Sequence, residues 1–172
     1  MRHRHRSILY KTGAAALAAL TLSACSDREE EVRTHVARLL HPGKTLYFEQ
    51  RLGCMVGVYA AHIGEVKSSV PIVGSVEEAF SRIGRGQAVA FDNPDFSPNM
   101  ISEEIASKNL PAGVAVLAAG AGARSCMTAP VQQGYYNSLM RPEAVLILDL
   151  EDDALILLDR VTRLIYYVRG DL

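Results

Sequence analysis

Apolar residues recur along this chain with two periods, and the switches between them mark out its elements. Val32, Val36, Leu39 and Leu40 fall at helical spacing, and His41-Pro42-Gly43 stops that helix because proline and glycine interrupt the ladder. His35 is expected on its exposed face and His41 in the stop. From Thr45 to Arg51 and from Cys54 to His62 the period drops to two, with Leu46/Phe48 and Val56/Val58 as pairs and Gly53 as the turn residue between the runs. Ser75 with Glu78 three residues on is a capping box opening a short helix, and Gln87 to Phe91 is a brief strand. Ser97 or Ser102 caps a helix running to Lys108, with Glu103 and Glu104 towards its positive end. Pro111 suits the first turn of a further helix, Leu110 to about Ala119, whose side chains are small and apolar; the Gly120-Ala-Gly122 run reads as its end.

The C-terminal third carries the strongest pattern. Ala144 to Leu150, Ala154 to Asp159 and Leu164 to Val168 are apolar runs separated by Glu151-Asp152-Asp153 and by Arg160 to Arg163, which predicts a three-stranded antiparallel meander. Runs this continuous belong to strands covered on both faces, or with one face on a partner. Asp149, Asp152, Asp153 and Asp159 read as solvated hairpin tips; the alternating oxygen ligands and glycine of a calcium loop are missing. The expected fold is a small single α+β domain: the meander packed with several helices, spanning residues 32–172.

The first 25 residues follow a different logic. MRHRHRSILYK is basic, TGAAALAALTL is an apolar run of about ten residues, too short to span a bilayer, and Leu22-Ser23-Ala24-Cys25 follows. This segment resembles the signal of bacterial lipoproteins. The resemblance implies removal of residues 1–24, acylation of Cys25, and a short polar tether, residues 25–31, leading into the domain. It also implies residence in the cell envelope, facing the periplasm; Ser26, in place of the Asp that retains such proteins at the inner membrane of enteric bacteria, favours the outer membrane.

Charge and cysteine content sharpen this reading. Removing Arg2, Arg4, Arg6 and Lys11 with the signal leaves 18 − 4 = 14 basic against 19 acidic residues, a mature charge of −5. Without a basic cluster a nucleic-acid partner loses its electrostatic footing. Aromatics are 6% of the chain and Trp is absent, so the core must be aliphatic and base-stacking platforms are disfavoured. With Cys25 committed to lipid, Cys54 and Cys126 remain as an even pair in an oxidising compartment, and a disulfide is expected between them.

Candidate chemistry is sparse. None of His35, His41 and His62 stands at a zinc-helix spacing, Ser125 lacks the flanking glycines of a nucleophile elbow, and no cofactor is implied. A nucleophilic set of Cys54, His62 and Asp92 is conceivable only if the disulfide does not form. Arg124 beside Cys126, with Tyr135 and Tyr136 after Gln132-Gln133, makes a polar and aromatic neighbourhood suited to recognition or to an ordinary helix surface. The function expected is that of a non-enzymatic envelope accessory binding a protein partner, marked by a flat apolar patch on the meander. The alternative is an enzyme or small-molecule binder with polar groups converging in a cleft near His62, Asp92 or Arg124.

Overall fold

The structure, a computed structural model, describes residues 28–149 and 153–170. The signal, Cys25 and the first residues of the tether lie outside the described residues. Helix α1 is helical over 28–39 and is followed by β1 (Pro42–Arg51), β2 (Cys54–Ala61), β3 (Ile72–Val73), α2 (Val76–Ile83), β4 (Val89–Phe91), α3 (Pro98–Lys108) and α4 (Leu110–Gly122). A 3-10 turn (Ala123–Cys126), α5 (Ala129–Leu139), β5 (Ala144–Asp149), β6 (Ala154–Asp159) and β7 (Leu164–Gly170) complete the order.

The seven strands of the described residues form one sheet in the order β1-β2-β7-β6-β5-β4-β3, antiparallel except for the β3/β4 pair. The expected C-terminal strands β5, β6 and β7 are indeed successive antiparallel neighbours. They do not stand as a sheet of their own: β2 zips onto β7 along its length and β4 onto β5, so the three lie in the middle of a mixed α+β fold. Their continuous apolar character follows from that position, because both faces are covered. Along β6, Leu155 and Leu157 point into one core and Ile156 and Leu158 into the other.

One face is closed by α1, through Val32, Val36, Leu39 and Leu40, all buried, with the loop residues Val66, Val70 and Ala88 packed beside them. The other receives α2 to α5 and the 3-10 turn, through residues such as Ala79, Ile105, Val116 and Tyr135. Helices α3 and α4 cross so closely at Gly113 that a Cβ there would lie 2.2 Å from the Cα of Ala106. Only glycine fits that crossing.

Local signals place most of these elements. Ser75 caps α2, accepting from the Glu78 backbone N–H at 3.2 Å, while Glu78 accepts from Gly74. Of the two possible caps of α3, Ser97 is the one used, accepting from Met100 N–H; Ser102 sits inside the helix and donates to the Pro98 carbonyl at 2.8 Å. Glu103 and Glu104 therefore lie beyond the first turn, not within it. Strand β1 begins at Pro42, earlier than expected, with irregular register before Tyr47.

A disulfide joins Cys54, at the start of β2, to Cys126, at the end of the 3-10 turn, across 72 positions of sequence. In the chain-entropy description a loop of that length stabilises the fold by about 4 kcal/mol through the unfolded state. It fastens the helical layer to the sheet, and the Tyr47 hydroxyl adds a hydrogen bond to the Cys126 carbonyl at 2.8 Å.

Candidate functional site

A cleft of about 640 Å³ opens in the helical layer between α3, α4, the 3-10 turn and α5. Leu155 of β6 forms part of its floor, and Val116, Met127 and Leu139 give it apolar walls. Polar groups enter from three elements: Asn99 and Ser102 from α3, Arg124 from the 3-10 turn, and Gln132 and Gln133 from α5. Proline in the first turn of α3 and of α5 starts both helices cleanly, which fixes the two walls.

Tyr135 and Tyr136 are successive on α5 and both line the cleft, but in different states. Tyr135 is 8% exposed and packs edge-on against Tyr166, ring centroids 6.1 Å apart. Burial pushes its phenol pKa well above the ordinary value, so it stays neutral across the physiological range. Gly120 of α4 makes room for it, since a Cβ there would stand 2.8 Å from the Tyr135 hydroxyl. Tyr136 is 56% exposed at the rim.

Arg124 is exposed, and its guanidinium makes no ion pair or hydrogen bond among the described residues. Its backbone is held firmly: Gln132 Nε2 donates to the Arg124 carbonyl at 3.1 Å and to the Met127 carbonyl at 3.3 Å. A permanently charged fork with five donors thus stands over an apolar cleft on a fixed backbone.

The other candidates do not join this cleft. His62 is exposed just past the end of β2; its backbone N–H bonds the His41 carbonyl and its own carbonyl accepts from Arg163 at 2.9 Å. Asp92 is bound by both nitrogens of the Arg160 fork at 2.6 Å, and Arg160 also donates to the Gly64 carbonyl. The two lie towards the β6–β7 turn, whereas Arg124 lies by the disulfide at the opposite end of the sheet. The conceivable set of Cys54, His62 and Asp92 is overturned: the thiol is in the disulfide, the carboxylate is paired, and eight residues of extended strand, roughly 26 Å, separate Cys54 from His62. Ser125 has its Oγ 3.1 Å from Cys54 Sγ, beside the disulfide.

Two buried polar clusters replace surfaces the sequence suggested were solvated. His35 is 7% exposed, not on an open helical face; its Nε2 lies 3.1 Å from Asp149 Oδ2, and Arg38 donates to its Nδ1. Tyr167 meets the imidazole edge-on at 6.2 Å. Asp159, fully buried, accepts from Ser138 Oγ at 2.8 Å, from the Val161 and Thr162 backbone N–H groups, and from Arg141. Asp153 keeps the exposed position expected of it, and Asp152 lies outside the described residues. Among the described residues no three His, Cys, Asp or Glu side chains gather as a metal site.

No family model, curated protein or solved structure matches the chain.

Proposed function

We propose that this chain is a lipid-anchored binding domain of the bacterial cell envelope, held through acylated Cys25 and facing the periplasm. Its ligand is a small molecule with an apolar body and an anionic group, seated in the cleft between α3, α4 and α5. The observation that carries the ligand reading is the Arg124 guanidinium, without a side-chain partner among the described residues, at a mostly apolar cavity large enough for such a molecule. Placement of polar groups in a concave site, and full coverage of the β5–β7 strands by helices, favour a small ligand over a flat protein-binding patch on those strands. The apolar body would lie on Leu155, Val116 and Leu139, and the anion would meet Arg124 with the carboxamides of Gln132 and Gln133 nearby.

Decanoate serves as a probe for this reading. The full chain purified from bacterial membranes is expected to bind it by calorimetry and to lose about 10- to 100-fold in affinity on Arg124→Gln, the range for one charge-assisted hydrogen-bonded contact. Ala121→Trp, at an exposed position of the cleft wall, should block binding while the fold is kept. Equal affinity of all three chains would remove the cleft from the account.

A second reading has one observation in its favour. Tyr136, which lines the cleft, is 56% exposed, and Met100 near the start of α3 and Met140 at the end of α5 are each more than 40% exposed, apolar surface that a segment of an envelope protein could cover.

A further inference from the structure

At the end of the sheet that holds the disulfide, the β1–β2 hairpin turns through only two residues, Leu52 and Gly53, between the paired Arg51 and Cys54. Gly53 takes φ 81°, a conformation that L side chains rarely adopt, and the turn leaves Leu52 completely exposed at 105% of its reference area. A large apolar side chain at a fixed hairpin tip has no packing role in the domain. Around it, Arg28, Arg51 and Arg169 converge on a shallow hollow of about 420 Å³ that Leu52 also lines. These three arginines come from α1, β1 and β7, and among the described residues no acidic side chain lines the hollow. Arg28 and Arg51 meet Glu31 and Glu49 at 3.0 Å, but both pairs are exposed and such pairs hold weakly in water, so each guanidinium is available to another anion.

Position in the chain says what faces this surface. Arg28 is three residues from Cys25, so the chain between them spans at most about 11 Å. An acyl chain on Cys25 would hold the headgroup layer within that distance of Arg28, and the hollow lined by Arg28 and the hairpin tip would be the nearest folded surface. We propose that the β1–β2 hairpin tip docks on the phospholipid headgroups of the anchoring bilayer, with Leu52 in the interfacial layer and Arg28, Arg51 and Arg169 on lipid phosphates. This inference rests on the lipid anchor proposed above. It makes the tether a short strut that fixes the orientation of the domain.

The chain contains no Trp, so one introduced indole reports its own depth without background. Leu52→Trp is compared with Val161→Trp, an exposed position in the β6–β7 turn at the opposite end of the sheet. Both full chains are expressed in a bacterium, checked by intact mass for acyl groups, and reconstituted into vesicles of phosphatidylethanolamine and phosphatidylglycerol, some brominated near the headgroup. The expected result is blue-shifted emission at position 52, quenched several-fold more strongly than at position 161, with the difference reduced when Arg51→Gln and Arg169→Gln are added. Acylated chains in which the two positions are quenched alike would overturn the docking and leave the anchor standing. A chain with no acyl mass that stays off the vesicles would overturn both. Unchanged quenching in the arginine variants would overturn the phosphate contacts.

Discussion

Asp159→Ala tests whether a single buried carboxylate ties α5, and with it one wall of the cleft, to the sheet. Asp159 ends β6 with no exposed surface and accepts from four donors: Ser138 Oγ, Arg141, and the backbone N–H groups of Val161 and Thr162. Burial alone would raise its pKa, but the Thr162 N–H, the Ser138 hydroxyl and the Arg141 charge outweigh it and hold the carboxyl below its ordinary value. Summing four charge-assisted bonds at ~1.5–3 kcal/mol each would overstate the loss. After truncation Ser138 keeps a bond to the Gly134 carbonyl at 3.0 Å, Arg141 is 28% exposed and hydrates, and the Val161 N–H sits in an exposed turn. What remains is a broken buried ion pair with partly solvated partners, about 3 kcal/mol. Asp159→Asn keeps one acceptor and should cost about half as much.

The assay is urea unfolding followed by circular dichroism, with the change taken from the midpoint at constant slope. Because the folded-state pKa is depressed, the ionised carboxylate stabilises fully above its unfolded value near ~3.9, and this contribution is lost as pH falls through the lower folded value. The gap between wild type and Asp159→Ala should therefore hold at neutral pH and narrow in acid below that point. A midpoint change worth less than about 0.5 kcal/mol at pH 7, the range of ordinary surface substitutions, would refute the role assigned to Asp159.

Two further outcomes follow from the packing. Reducing the Cys54–Cys126 disulfide should lower the unfolding free energy by about 4 kcal/mol, seen as a large fall in urea midpoint with reductant; an unchanged midpoint would show that the staple contributes nothing. Gly113→Leu forces α3 and α4 apart and should destabilise by about 3 kcal/mol in the same assay, whereas Gly74→Ala, with open space around the added carbon, should be close to neutral.

What the chain shows locally, it shows clearly. Ser75 and Glu78 mark the start of α2, and the apolar runs of β5, β6 and β7 report burial on both faces before any partner strand is known. Distance along the chain limits the rest. Nothing near His35 announces that Asp149 will arrive over it from 114 residues later, and Arg160 finds Asp92 across 68. The two residues of β3 are too few to show a period. Helix α5 did carry a start signal, Thr128 with Pro130 two residues on, like the Ser97-Pro98 start of α3, but its apolar stripe is narrow, Val131, Tyr135 and Leu139 set among Gln, Gly, Asn and Ser. Arg124, Tyr135 and Tyr136 were legible as a recognition neighbourhood; that they border a cavity depends on α3 and α4, which no local pattern connects to α5.

Attachment of the domain to lipid at Cys25 is read from the intact mass of the full chain purified from a bacterial membrane beside Cys25→Ala. The expected wild-type mass begins at Cys25, includes acyl groups and is two hydrogens lighter than that of the reduced form, while the Cys25→Ala chain carries no acyl mass. A wild-type chain that retains residues 1–24 and carries no lipid would contradict the attachment.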